Sequence, residues 1–214
     1  MAVSTSPVPR STTPVPSSTI KLLLRSIESG PRLSWMETSA RQNTKFDPSG
    51  LFVFPRIADG RYTLEVANLP PNAYISDIRV GDKSAYDNGF VASEVKDEIT
   101  VTVESNGGRI HGSVHDSDGH AFDAARVVLA PSLSRRQNRA LYKSVFSDRT
   151  GNFTLTGIAP GNYKMFAWDV VMEGGWTNAE FMTEYESLGQ TVIVRESGDT
   201  EIDLKVISAK PEHR

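Results

Sequence analysis

The densest group of possible metal ligands in the sequence lies between residues 111 and 120. His111 and His115 are followed by the run from Asp116 to His120, and imidazole nitrogens with carboxylate oxygens form a donor set that zinc accepts. If residues 108–115 form a strand, both histidines lie on one face, because strand side chains alternate. We interpret the histidines as exposed, since apolar residues take the other face, and the run as a hairpin turn. A metal-dependent enzyme domain using His111 and His115 is the weaker alternative.

Aromatic and polar residues are concentrated in a long connection between residues 168 and 185. Trp176, Phe181 and Tyr185 lie there with Asn178. Aromatic rings on a loop above a sandwich can stack on sugar rings, while amides bond to sugar hydroxyl groups. Because long connections are often functional, these four residues are candidate ligand-binding residues. The alternative is that the rings fold back as a lid on the sandwich, each burying a large apolar area.

Positive charge is clustered in one predicted loop of the second half of the chain. Arg135, Arg136 and Arg139 lie close together in sequence, and guanidinium groups bind carboxylates and phosphates in bidentate geometry. These arginines are candidate contacts for an anionic partner, such as an acidic polysaccharide or a lipid headgroup. The alternative is a solvated loop.

Motifs for covalent or metal-dependent catalysis are missing from the sequence. It has no Cys and four His, which removes cysteine nucleophiles and thiolate metal sites. The Gly-x-Ser-x-Gly elbow and the zincin spacings do not occur. We therefore predict a non-enzymatic chain with no catalytic residues, no metal and no cofactor.

Charge and hydropathy exclude two further classes of protein. The 214 residues carry a formal charge of −3 with a pI near 5.8, whereas a nucleic-acid-binding protein needs a basic surface that neutralises phosphates. No apolar run approaches the roughly 20 residues of a membrane-spanning helix. We expect neither a nucleic-acid partner nor a membrane-spanning segment.

An internal repeat organises most of the chain. A shift of 101 positions aligns seven identical residues, from Asp47 on Asp148 to Tyr62 on Tyr163. The repeated Asp-x-x-Gly is typical of a turn, and the strand after it places an aromatic residue in a core. The repeat therefore predicts two similar modules, each with a hairpin built around a buried aromatic face.

Short alternating stretches between Gly, Pro, Asn and Asp predict strands and turns along most of the chain. No segment keeps a helical apolar periodicity over about 11 residues, the mean length of a helix. We therefore predict an all-β fold. The candidate strands are 20–25, 51–55, 61–66, 75–80, 98–104, 108–115, 125–130, 142–147, 152–156, 161–168, 191–194 and 200–206.

Three stretches of the second module, 112–119, 124–129 and 148–163, together carry a family resemblance. With these stretches, the module resembles the carboxypeptidase regulatory-like domain. The resemblance implies an immunoglobulin-like, transthyretin-like β-sandwich of seven strands, common as a tandem extracytoplasmic module in bacterial surface proteins. Domains of this family accompany peptidases and do not contain the zinc site. In the first module, a Pro-rich stretch aligns with the first strand.

We predict two tandem antiparallel immunoglobulin-like or transthyretin-like β-sandwiches. The expected organisation is a disordered Ser/Thr/Pro-rich linker at 1–18, a first sandwich at 19–106, a second at 107–208 and a tail at 209–214. Since the chain begins with a linker, we expect either that it is a C-terminal piece of a longer protein or that the true start lies upstream.

The expected function is that of a non-catalytic module of a bacterial cell-surface or periplasmic protein, acting in adhesion, spacing or partner binding. The expected partner is a polysaccharide or another surface protein. The alternative function is a carbohydrate-binding module that uses the loop aromatics. The extracytoplasmic location rests on the family resemblance, because residues 1–18 lack the apolar region of a signal peptide.

Overall fold

The chain forms two compact units, each built from two β-sheets. The computed structural model describes residues 2–4, 20–27, 41–45, 50–54, 57–95 and 98–208. The units are Met1–Ser105 and Asn106–Arg214. Most of the predicted linker and the whole predicted tail lie outside the described residues. The predicted all-β architecture of two tandem sandwiches is confirmed.

Nine strands make up the described part of the first unit. They are β1 (Ala2–Ser4), β2 (Lys21–Ser26), β3 (Arg41–Lys45), β4 (Phe52–Val53), β5 (Arg61–Ala67), β6 (Tyr74–Val80), β7 (Lys83–Ser84), β8 (Phe90–Val91) and β9 (Ile99–Glu104). One sheet has the order β4-β1-β9-β6-β7 and the other β3-β2-β5-β8. All paired strands run antiparallel except β1 and β9, which are parallel.

Seven strands lie in the described residues of the second unit. They are β10 (Gly108–His115), β11 (Arg126–Pro131), β12 (Lys143–Phe146), β13 (Asn152–Ile158), β14 (Gly161–Trp168), β15 (Gln190–Val194) and β16 (Asp199–Lys205). The sheet orders are β13-β10-β16 and β12-β11-β14-β15, with β10 and β16 parallel. Gly112 permits this parallel pairing, because a Cβ atom there would overlap the carbonyl oxygen of Ile202 on β16.

The two units share the order of seven strands, which confirms the repeat found in the sequence, and the first unit adds β6 and β7 beside β9. In one sheet of each unit, the order β4-β1-β9 of the first unit corresponds to β13-β10-β16 of the second. In the other sheet, the order β3-β2-β5-β8 corresponds to β12-β11-β14-β15. Each unit also repeats one hydrogen bond. The Tyr62 hydroxyl donates to the Ala58 carbonyl at 3.1 Å, and the Tyr163 hydroxyl donates to the Ala159 carbonyl at 2.8 Å.

Four short strands are missing from the prediction. β3 is entirely polar, and β7 and β8 have two residues each, so none of them alternates detectably. β1 lies inside the segment predicted as a linker, and that prediction is wrong at Ala2–Ser4. This strand takes the place in the first unit that β10 takes in the second.

The connection between β14 and β15 contains short helices where the sequence predicted only a loop. Turns of 3-10 helix at Gly175–Thr177 and Glu186–Leu188 flank helix α1 (Ala179–Tyr185). Asn178 caps α1, because its Oδ1 accepts the N–H groups of the second and third residues of the helix at 2.8 and 3.2 Å. Seven residues are too few for helical periodicity to be detected.

The central strands of the four-stranded sheet in the second unit, β11 and β14, are buried on both faces along most of their length. In β11 every residue from Val127 to Pro131 is buried, as expected of a strand covered on both sides. In the first unit, β5 instead alternates between buried and partly exposed residues. Its outer face is polar, with Arg25 and Glu65 forming an ion pair at 2.9 Å.

Candidate functional site

Residues 169–188, which we call the helical cover, pack against the outer face of the four-stranded sheet in the second unit. The buried cluster between them comprises Val128, Ala130, Phe166, Trp168, Trp176, Met182 and Tyr185. The Trp168 ring stacks on Phe166 with 5.1 Å between centroids, and it meets Tyr185 edge-on at 5.7 Å. Because such ring pairs add to the energy of apolar burial, aromatic packing holds the cover on the sheet.

The aromatic residues predicted to bind a ligand lie within this packing. Trp176 and Tyr185 are only 5% and 6% exposed. Phe181 is half-buried, with its ring centroid 4.8 Å from that of Tyr185. Asn178 is exposed, and its side-chain oxygen is engaged in capping α1. The three rings therefore form no open stacking surface, which is the arrangement expected of the lid alternative.

A groove of ≈ 620 Å³ lies between the helical cover and the connection from β11 to β12. The connection contributes Leu133, Arg136, Gln137 and Tyr142, and the cover contributes Trp176, Asn178, Thr183 and Glu186 among others. The groove brings together residues from both predicted sets, Trp176 and Asn178 from the aromatic set and Arg136 from the basic set. Its volume is in the range of small-molecule sites.

Charged groups in the groove are paired with one another. Arg136 Nη2 lies 2.9 Å from one Glu186 carboxylate oxygen, and Lys164 Nζ lies 3.0 Å from the other. Arg136 Nε also donates to the Pro131 carbonyl, which fixes the guanidinium. The Tyr142 hydroxyl donates to the Arg136 carbonyl, and burial raises the pKa of Tyr142. The groove therefore presents a positioned cation beside a positioned anion.

The three predicted arginines do not act as one cluster. Arg135 and Arg139 belong to separate 3-10 turns, Leu133–Arg135 and Arg139–Leu141, and neither lines the groove. Arg139 is exposed and Arg135 is half-buried. Only Arg136 of the three contributes to the groove.

Arg126 makes an aromatic contact that its sequence position does not reveal. Its guanidinium carbon lies 3.7 Å from the ring centroid of Phe146 and 5.4 Å from that of Trp176. Arg126 Nη2 also lies 2.6 Å from Glu173 of the helical cover. Cation–π contacts of this kind are attractive. Only the register of β11 and β12, which places Arg126 opposite Phe146, could have identified the pair.

The two histidines lie on the polar face of β10, as predicted, and bond to their neighbours. His111 Nδ1 lies 2.9 Å from Asp199, and the Ser113 hydroxyl lies 2.8 Å from His115 Nε2 and 2.5 Å from Asp203. The histidines are four residue steps apart along the strand, or roughly 13 Å, too far for both to ligate one metal ion. Asp203 bonds to the serine and lies 4.0 Å from His115 Nε2, the same ring nitrogen that faces the serine. In a hydrolase triad the carboxylate instead bonds to the other ring nitrogen, so these groups do not form that relay.

The run from Asp116 to His120 forms the predicted hairpin turn. Ligand atoms of Asp116, Asp118 and His120 lie within 4.8 Å of one another. Asp116 Oδ1 already accepts the backbone N–H groups of His120 and Asp118, both at 2.9 Å. These bonds, that of His120 first, lower the pKa of Asp116. The carboxylate therefore serves to close the turn.

Comparison of this chain with known proteins found similar solved structures. No family model and no curated protein matches it. Similar solved structures include a minor pilin of Streptococcus agalactiae, 12% identical with a TM-score of 0.35, covering 91% of this chain and 85% of that one. A shaft pilin of Lactobacillus rhamnosus is 8% identical with a TM-score of 0.31, covering 89% and 88% of the two chains.

A third similar structure is the 5-hydroxyisourate hydrolase of Klebsiella pneumoniae. It is 14% identical with a TM-score of 0.27, and the match covers 47% of this chain and 90% of that one. Similarity this low identifies neither a family nor a function, so the fold assignment rests on the sheets of the chain itself. Among the described helices, none is long and apolar enough to span a membrane.

Proposed function

We propose that the chain is a non-catalytic β-sandwich module of a bacterial extracytoplasmic protein, and that its second unit binds a partner in the groove. The groove carries this proposal, because it has the volume of a binding site and holds Arg136 and Glu186 in fixed positions. The resemblance to the carboxypeptidase regulatory-like domain supports a cell-surface or periplasmic location. It also supports a role in adhesion or in spacing other domains.

Carbohydrate binding is the second candidate function, favoured by the lining of the groove. The amides of Gln137 and Asn178 and the hydroxyl of Thr183 can donate and accept hydrogen bonds. Leu133 is 69% exposed and supplies an apolar surface at the groove. A sugar ring combines hydroxyl groups with an apolar face, so it complements both parts of this lining. Trp176 then acts as a wall of the groove instead of an exposed stacking platform.

A binding screen of the full chain against soluble and insoluble polysaccharides tests this function. Thr183→Phe fills the groove from the exposed side of α1, whereas Glu184→Phe places the same ring on the next residue, which does not line the groove. We expect saturable binding by the wild type and by Glu184→Phe. Thr183→Phe should bind about tenfold more weakly or worse, with an unchanged melting temperature.

The outcomes separate the two functions. Equal binding by Thr183→Phe and Glu184→Phe would place the carbohydrate site outside the groove. No binding of any polysaccharide by the wild type would reject the carbohydrate function. In that case a surface protein is the expected partner, and the same two variants test its contact with the groove.

A further inference from the structure

The two units differ in what lies beside their equivalent last strands. In the first unit β9 is paired on both sides, with β1 and with β6. The repeat aligns β9 with β16 of the second unit. Among the described strands, β16 pairs only with β10. It is therefore an edge strand, and the open backbone groups of an edge are a template for pairing with another chain.

The backbone hydrogen bonds show which residues face the open edge. The Arg109 N–H donates to the Gly198 carbonyl, and the Val206 N–H donates to the His115 carbonyl. Gly198 and Val206 therefore direct their backbone groups toward β10. Because successive strand residues point these groups to opposite sides, the odd-numbered residues of β16 point theirs to the open edge. These residues are Asp199, Glu201, Asp203 and Lys205.

The same four residues carry the exposed side chains of β16, whereas Ile202 and Leu204 are buried. Asp199 and Asp203 bond to side chains of β10. Glu201 makes no hydrogen bond or ion pair with the part of the chain that the structure describes. The edge thus combines open backbone groups with an apolar row on its inner side and an acidic row on its outer side.

We propose that β16 binds an extended basic segment of a partner protein, which extends the three-stranded sheet as an antiparallel fourth strand. Strand addition of this kind takes its affinity from backbone bonds and its specificity from alternate side chains. Opposite charges on facing strands attract. The segment therefore has Lys or Arg opposite Asp199, Glu201 and Asp203, an acidic residue opposite Lys205, and apolar residues between them.

The first unit shows how such a strand fits. β6 runs antiparallel to β9 and places Ile78 opposite Val101, and both are buried. The repeat aligns Val101 with Ile202 and Thr100 with Glu201. An apolar residue of the partner opposite Ile202 therefore takes the place of Ile78. Glu201 adds a negative charge where the first unit has a neutral Thr100, and this charge selects a basic strand.

A second copy of the chain matches the charges of this edge less well than a basic strand does. Antiparallel pairing of β16 with itself about Ile202 places Glu201 opposite Asp203 at two positions and Asp199 opposite Lys205 at two. Pairing about Glu201 places Asp199 opposite Asp203. Like charges directly opposite each other are destabilising, and they offset the attractive pairs in these registers. A basic strand with an acidic residue opposite Lys205 instead places opposite charges at all four exposed positions, so the acidic row favours a basic partner over a second copy.

The probe for this surface is the synthetic peptide Glu-Val-Lys-Val-Lys-Val-Lys, which matches β16 when it runs antiparallel. Its control is Lys-Lys-Val-Val-Glu-Val-Lys, which has the same composition without the alternation. Amide hydrogen exchange of the isotope-labelled full chain is measured by NMR with each peptide. With the alternating peptide, exchange at Glu201 and Asp203 should slow about tenfold or more, while exchange at Ile202, which bonds to β10, should not change.

Charge variants test the acidic row. Glu201→Lys should weaken binding of the alternating peptide about fivefold or more. Glu184→Lys makes the same charge change on an exposed residue of α1 and should leave binding unchanged. The peptide Glu-Val-Lys-Val-Glu-Val-Lys, which places Glu opposite position 201, should restore binding to Glu201→Lys.

The surface is independent of the groove, which lies on the other sheet, so Thr183→Phe should not affect peptide binding. Equal binding of the alternating and control peptides would overturn the proposal, because it would show non-specific charge attraction. Slowed exchange confined to residues away from β16 would also overturn it. A dimer in sedimentation experiments, with Glu201 and Asp203 already protected without peptide, would assign the edge to a second copy and overturn the proposed occupant.

Discussion

Trp176→Ala removes the ring that joins the helical cover to the four-stranded sheet. Trp176 is 5% exposed and belongs to the buried cluster that includes Val128 and Trp168. Truncation of a buried aromatic residue of this size costs about 3–5 kcal/mol. At roughly 5 °C per kcal/mol for a domain of about 100 residues, the melting temperature of the second unit should fall by roughly 15–25 °C.

Differential scanning calorimetry of the full chain measures this loss, because it separates transitions when a protein has more than one folding unit. Met172→Ala is the matched control, since Met172 is in the same cover and is 71% exposed. It should change the free energy of unfolding by less than about 0.5 kcal/mol. Trp176→Phe keeps part of the apolar ring and should fall between the two. If Trp176→Ala and Met172→Ala have equal effects, the packing of the cover derived above is refuted.

Two further predictions concern caps and turns of the second unit. Asn178→Ala removes the cap of α1 and should lower the free energy of unfolding in urea by about 1 kcal/mol, whereas Asn178→Asp keeps an acceptor and should recover most of it. Hydrogen bonds from the Thr150 hydroxyl and the Asn152 N–H hold the pKa of Asp148 below its ordinary value of 3.8. The stability that these bonds provide is therefore present above pH 3.8 and is lost as the pH falls through the lowered pKa. Asp148→Asn should therefore flatten the acid dependence of urea unfolding below about pH 4, and an unaltered profile would contradict this role.

The elements that could be predicted from the sequence are those with strong local signals. The repeat between residues 47–62 and 148–163 contains turn residues and core aromatics in one register, so it predicts the same hairpin in each unit. β10 and β14 have the predicted bounds because they combine alternation or apolar runs with flanking turns. The polar β3 and the seven-residue α1 depend on neighbouring elements for their stability, and local sequence does not encode those neighbours.

The candidate groove could be predicted only in part. Trp176, Asn178 and Arg136 could be chosen because aromatic, amide and guanidinium groups in long connections are typical of binding sites. The partner of Arg136 is Glu186, 50 positions further along the chain, and the contact depends on how the cover folds over the sheet. The burial of Trp176 depends on the same packing. Residue type therefore indicated the region, and tertiary packing decided which side chains face the groove.

The connections at 68–89 and 169–189 occupy the same position in the two copies of the repeat. The first continues a sheet sideways through β6 and β7, and the second shields the broad face of the other sheet with helices. In the first unit β6 therefore covers the edge of β9, and in the described part of the chain the outer face of the β3-β2-β5-β8 sheet has no helical cover. In the second unit the helical cover packs on the equivalent sheet face, and the edge of β16 is unpaired among the described strands. A repeated scaffold thus presents two different surfaces by differing at one segment while the framework strands keep their order. Engineering new specificity into this fold should therefore start with that segment, because connections of nearly equal length already adopt two different structures there.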